Sequence, residues 1–344
     1  MEATGVLSRR AALRPTADRL LLCAGSLTFQ LALAAPAWGD APPDAGEALA
    51  PGEVIELIPE ALSKARVRVY ADETYSLLAD FGPADSSEFR TTFGVRAGGP
   101  ISESFVFRVS AVGGVAFFDI DGDRSGLANK LGGASLFEQL NEFQIGLGGA
   151  YRLPCESTLF GAPAHWSVFT EGRAKLSWEK DASVADGTKG GGILGVGLGL
   201  GSRLELALGV NVASQIDGGV DVSPVAGFRW KIRDDMRLRT YGIGLLYEFD
   251  FNPEFELQVR GSYESDLYRL DDRGPVLGDP TLRQREVPVL VALRWKPTKH
   301  WRVTTGLGSV VYQKWRIEAE SGGNKNSVSA GPAALGWLRI EYHF

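Results

Sequence analysis

Charged residues recur at every second position along much of this chain. Glu88, Arg90 and Arg96 share one parity, as do Glu171, Arg173 and Lys175, and Arg229 and Lys231. Arg108, Arg239, Glu256, Arg260, Arg294, Arg302, Arg339 and Glu341 follow the same rule within their own segments. A spacing of two places such residues on one face of a β-strand. If several such faces look into one enclosed space, two kinds of chemistry follow. Rows of arginine draw anions through a pore, or arginines and carboxylates pair across neighbouring strands and stiffen a filled interior. The two readings carry equal weight here.

Other chemistry is weakly supported. Asp119, Asp121 and Asp123 cluster like calcium ligands, but Arg124 and Lys130 stand where an EF-hand loop needs Gly and Glu, so a solvated loop is the simpler reading. Gly195, Gly197, Gly199 and Gly201 lack the spacing and following helix of a dinucleotide site, and are expected to face an interior as space-making residues. The histidines, His165, His300 and His343, neighbour no serine or acid in a hydrolase pattern, so no enzyme is expected. Three His and two Cys are too few and too scattered for a zinc site, and no metal or cofactor is implied. An acidic chain, net charge -6, without a basic stretch makes a poor nucleic-acid binder.

The elements that must position these faces begin after an export signal. Arg9, Arg10, Arg14 and Arg19 precede the apolar run Leu20–Ala34, which exits into Ala35-Pro36-Ala37. This pattern is a cleaved secretory signal over residues 1–37. Its removal takes away four arginines and two acids and leaves a net charge of -8. Cys155 is then the one remaining cysteine, expected as an unpaired, buried thiol. Residues 38–65, with Pro42, Pro43, Pro51 and Pro59, read as a flexible periplasmic lead-in.

From residue 66 apolar and polar residues alternate over long stretches, such as Phe105 to Phe117, Trp166 to Trp178, Leu204 to Val212 and Val287 to Trp295. Strands of roughly ten to fifteen residues exceed the ~5–6 of soluble domains and suit a tilted crossing of a bilayer. Hydrocarbon tolerates no unpaired backbone amides, so such a sheet must close. The outward face then meets lipid and the charged face an interior. Trp166 and Trp178, twelve residues apart, and Trp301 and Trp315, fourteen apart, are expected at the two interfaces, with Trp295, Tyr342 and Phe344.

The chain ends Gly-Trp-Leu-Arg-Ile-Glu-Tyr-His-Phe, with Leu338, Ile340, Tyr342 and Phe344 on one face. With the export signal and the alternating strands, this resembles the bacterial outer-membrane β-barrel proteins, a porin-like class. The resemblance implies insertion in outer-membrane lipid through the barrel-assembly machinery, which reads the terminal aromatic strand. The expected fold is an all-β, transmembrane, antiparallel up-and-down barrel over residues 66–344. Thirteen candidate strands can be marked. Such barrels are usually even-numbered, so about twelve strands are expected, within a range of ten to fourteen, with the miscount between residues 200 and 250. The expected function is a channel or binding barrel for small solutes, anionic ones included, with a mildly basic lumen. The lumen would be lined by Arg90, Arg96, Arg108, Glu171, Arg173, Arg229, Arg239, Glu256, Arg260, Arg294, Arg302 and Arg339. The alternative is a structural or assembly barrel with a plugged lumen; an outer-membrane hydrolase ranks last.

Overall fold

The structure, a computed structural model, describes residues 65–344 apart from 134–135, 217–218, 273–276, 279 and 320–324. The export signal and, save for Ala65, the 38–65 lead-in lie outside the described residues. The strands are β1 (Arg66–Asp80), β2 (Ala84–Pro100), β3 (Phe105–Gly122), β4 (Gln139–Leu159), β5 (Ala162–Glu179), β6 (Thr188–Leu200), β7 (Leu204–Ser214) and β8 (Val220–Arg233). They continue as β9 (Met236–Thr240), β10 (Ile243–Asp250), β11 (Phe255–Arg269), β12 (Thr281–Trp295), β13 (Trp301–Glu318), β14 (Lys325–Ala330) and β15 (Ala333–His343).

From β1 to β14 each strand pairs antiparallel with the next, and β1 closes the ring on β15, from Arg68↔His343 to Leu77↔Ala334. Both β14 and β15 pair with β13 in one continuous register, as two halves of one stave broken at Gly331-Pro332. The fifteen segments therefore make fourteen staves. The start of β1 and the C-terminal Phe344 lie at one rim, the proximal rim. The longer connections lie at the other, distal rim.

The expected twelve strands become fourteen because residues 236–249 form a hairpin, not one strand. Gly242 adopts φ 57° between β9 and β10, and Tyr241 N donates to Gly244 O at 3.0 Å. Such a φ favours glycine. The sequence carries a trace of this turn. The charged parity is odd at Arg237 and Arg239 but even at Glu248 and Asp250.

The short hairpin leaves a notch in the wall. β8 pairs with β7 from Val220 to Trp230 but with β9 only from Arg229 to Arg233. β11 pairs with β10 only up to Tyr263. Distal to that point, among the described residues, no strand stands between β8 and β11. Pro224 lies on this open stretch of β8, where a residue without an N–H removes one ladder donor. The distal part of β11 leans across the interior instead. Arg269 meets Trp178 of β5 in a parallel contact, Lys175 Nζ donates to Asp266 Oδ1 at 2.9 Å, and Lys189 Nζ to Leu267 O at 2.8 Å.

The outer face is apolar around the ring. Phe93 (62% exposed), Leu147, Leu194, Leu208 (60%) and Leu307 (76%) all point away from the interior. A water-soluble barrel would not display so continuous an apolar band.

The buried apolar core sits at the distal end. Trp315, fully buried, has Phe81 at 4.2 Å, Phe137 at 4.9 Å and Phe118 at 5.7 Å, centroid to centroid. Leu127 and Leu131 cover them from the short helix α1 (Arg124–Lys130) and its C-cap. The carboxylate of Asp123 caps α1, with Oδ1 accepting from Gly126 N at 2.8 Å, and this is the use the fold makes of the acidic cluster's last member.

Two expectations are corrected here. Trp315 belongs to this core and not to an outer aromatic belt. The register of β13 against β12 slips between Val310 and Gln313, so one extra residue turns the odd positions inward. Cys155 is unpaired but exposed, not buried, in the irregular stretch of β4 between Arg152 and Glu156.

Candidate functional site

Inward parity is set by the register. Around the ring, Glu256 stands opposite Arg294, Arg294 opposite Thr304, Thr304 opposite Arg339, and Arg339 opposite Asp72. Residues from five strands thus meet at one level although they are far apart in sequence.

Near the proximal rim the interior is an ion-pair network. Glu256, almost fully buried, receives Arg294 Nη1 at 2.9 Å, Lys296 Nζ at 2.9 Å and Arg237 Nη2 at 3.1 Å. Arg239 Nε reaches Glu248 at 3.4 Å. Arg229 pairs with Glu205 at 2.8 Å. Buried pairs of this kind roughly repay their own desolvation and mainly fix geometry. On the β3–β5 wall, buried Arg108 and the half-buried Arg173 both bind buried Glu171, Arg173 at 2.9 Å.

Between these networks lies a cavity of about 480 Å³. Eleven lysines and arginines line it against five carboxylates. At its centre Arg260 stacks on the Trp337 ring at 3.9 Å, and its Nη1 donates to the Tyr241 hydroxyl at 2.7 Å. Trp337 Nε1 donates to Asp72 Oδ1 at 2.6 Å, and Asp72 Oδ2 accepts from Arg339 at 3.2 Å. Tyr70 carries Arg339 on its ring at 4.4 Å and Arg96 at 5.7 Å. The ring of Tyr70 occupies the place of a side chain at Gly94, where a Cβ would collide with it. Cation–π contacts hold guanidinium groups without neutralising them. The cavity extends to Tyr241, Gly242 and Ile243 at the tip of the short hairpin and to Ser214 and Gln215 of the β7 end, so it reaches the notch.

Arg90, Arg96, Arg173, Arg239, Arg260, Arg294 and Arg339 line the cavity itself. Arg108, Glu171, Arg229 and Glu256 sit in the flanking networks, and Arg302 is half-buried opposite Glu341. Of the aromatic set, Trp295 and Trp301 lie outward and exposed at the proximal rim. Tyr342 packs there against Trp301 at 4.9 Å and Phe344 at 4.7 Å. Trp166 and Trp178 are half-buried near the two ends of β5.

Tyr70, Asp72, Tyr241 and Trp337 were not expected in the interior. For Trp337 the signal is present, since it shares parity with Arg339 and Glu341. Tyr70 and Asp72 likewise share parity with Arg68. The glycines at 195, 197 and 199 do face inward, and the Phe169 ring lies where a side chain at 195 would stand.

A closed antiparallel ring, apolar outside and charged within, defines a β-barrel of the membrane type. Solved structures similar to it are bacterial outer-membrane β-barrels. An outer-membrane channel from Pseudomonas putida F1 is 12% identical, with 89% of this chain and 100% of that one covered, at a TM-score of 0.41. The toluene transporter TodX of P. putida is 10% identical over 85% and 94% of the two chains, at 0.36. A Pseudomonas aeruginosa FadL homologue is 9% identical over 87% and 94%, at 0.39. Likenesses this distant assign no solute. No protein-family model matches the chain, and no curated protein matches it in sequence.

Proposed function

We propose that this chain is an outer-membrane barrel that passes or binds small solutes, with a preference for anions. The observation that carries this reading is the cavity lining, with eleven basic groups against five acidic ones. In a walled space of low dielectric such an excess raises the local anion concentration. The apolar exterior and the aromatic proximal rim support residence in the bacterial outer membrane, with lipid against the outer face. The terminal strand, ending in exposed Phe344, supports delivery by the barrel-assembly machinery. Because the apolar core fills the distal end, the notch between β8 and β11 is the opening the solute path uses there.

The test is planar-bilayer recording of the refolded barrel in a KCl gradient. Stepwise currents are expected, with a reversal potential on the chloride side. Arg260→Gln is expected to move that potential toward zero. Silent membranes would reject the channel, and a potential on the potassium side would reject the anion preference.

A second reading, a structural barrel with a plugged lumen, draws support from the same distal core and from the ion pairs on Glu256 and Glu171. It is expected to give no current. A hydrolase finds no such support: His300 Nδ1 lies 2.7 Å from the backbone oxygen of His343, which occupies it.

A further inference from the structure

We propose that the cavity around Arg260 is a binding site for a hydroxylated organic anion, a sugar acid or sugar phosphate, with its charged group on Arg260. The proposal rests on the channel reading above and names the class of its solute.

Arg260 assigns the charged group. Other cations of the lining have carboxylates beside them. Arg339 meets Asp72 and Glu341, both at 3.2 Å, and Lys175 meets Asp266 at 2.9 Å and Glu142 at 3.2 Å. Arg260 differs. Among the described residues its guanidinium has the Trp337 ring at 3.9 Å, the Tyr241 ring at 5.1 Å and the Tyr241 hydroxyl at 2.7 Å from Nη1, and it pairs with no carboxylate. Glu264, on the same face of β11, is held instead by the Ser262 hydroxyl at 2.9 Å. The rings fix the position of Arg260 and leave its charge in place. A carboxylate or phosphate is the partner a guanidinium takes best, through charge-assisted hydrogen bonds.

The remaining lining assigns the body. Trp337 lies under Arg260, and Tyr70 carries Arg339 at 4.4 Å with Arg96 at 5.7 Å and Arg68 at 5.9 Å. Both rings are buried, so a flat apolar solute finds neither of them open for stacking. On the far side of the ring from β15, the wall formed by β6 and β7 is neutral and polar. Asn211 and Gln215 line it, and Gly190, Gly191 and Gly192 keep it clear of side chains. Gln144 of β4 lines the cavity to one side, and its amide makes no hydrogen bond among the described residues. Amides both donate and accept, as hydroxyls do, so these groups suit a body bearing several hydroxyls. A volume of about 480 Å³ lies within the range of small-molecule sites, ~300–1,000 Å³. It has room for about one or two sugar rings and far exceeds a simple inorganic anion.

The experiment measures binding to the refolded barrel in detergent micelles by saturation-transfer NMR. The probes are glucuronate, glucose 6-phosphate, glucose, benzoate and acetate. Glucuronate and glucose 6-phosphate are expected to bind at least about tenfold more tightly than glucose, which lacks the charge. The same margin is expected over acetate and benzoate, which lack the hydroxyls. The tighter of the two sugar anions assigns the charged group as carboxylate or phosphate. Arg260→Gln is expected to weaken glucuronate at least about tenfold. Gln144→Ala, a change on the opposite side of the solute, is expected to weaken glucuronate about threefold and leave acetate unchanged.

Equal affinity for glucuronate and glucose, or acetate or benzoate binding as tightly as glucuronate, would overturn the solute class. Glucuronate binding indifferent to both variants would overturn the site. Each of these results leaves anion currents in planar bilayers, and so the channel reading, standing. A barrel that gives no current but binds glucuronate through Arg260 and Gln144 would overturn the channel and keep the site.

Discussion

Replacing Leu208 by arginine is expected to cost about 2–4 kcal/mol, the penalty for a cation on the lipid face near mid-bilayer. Leu208 is 60% exposed and sits midway along β7, opposite Val196 and Ala226. Its outward neighbours Leu194, Val210 and Val212 are exposed as well. On a water-soluble protein a leucine so exposed would accept arginine within about 0.5 kcal/mol. Urea or guanidinium unfolding of the barrel in lipid vesicles separates the two cases. A cost below about 1 kcal/mol would place this face in water.

Trp315→Ala is expected to cost about 3–5 kcal/mol, the range for emptying a large aromatic from a core. No part of Trp315 reaches solvent, and three phenylalanine rings touch it. Its indole Nε1 is buried with no hydrogen-bond partner among the described residues. Trp315→Phe keeps most of the packing and removes that donor, so it is expected to cost clearly less than the alanine variant. Unfolding midpoints measure both. If alanine and phenylalanine cost the same, the indole is not the packing centre of the distal cap.

Much of the barrel is legible in its sequence because lipid outside and a charged interior impose a period of two on every stave. Strand positions, the inward arginines and the outward valines and leucines all follow from parity. Three features do not. The β9–β10 hairpin hides inside a run that still alternates, and only the parity change from Arg239 to Glu248 betrays it. The bulge in β13 inserts one residue, which no composition signal marks, and so Trp315 changes sides. The distal core draws on Phe81 and Phe137, which lie in connections between strands, where burial has no period to read. The Arg260–Trp337–Asp72 cluster needs a register between strands more than two hundred residues apart, which a single sequence does not supply.

The most direct measurement follows spin labels along β7 in lipid vesicles, one cysteine at a time from Leu206 to Val212 in the Cys155→Ser background. Labels at Leu208, Val210 and Val212 are expected to collide with oxygen dissolved in the bilayer and to be shielded from a water-soluble nickel complex. Labels at Ala207 and Asn211, which are buried on the inner face, are expected to show the reverse order of oxygen and nickel accessibility. An alternation of the opposite sign, or none at all, would contradict a barrel with lipid outside and charge within.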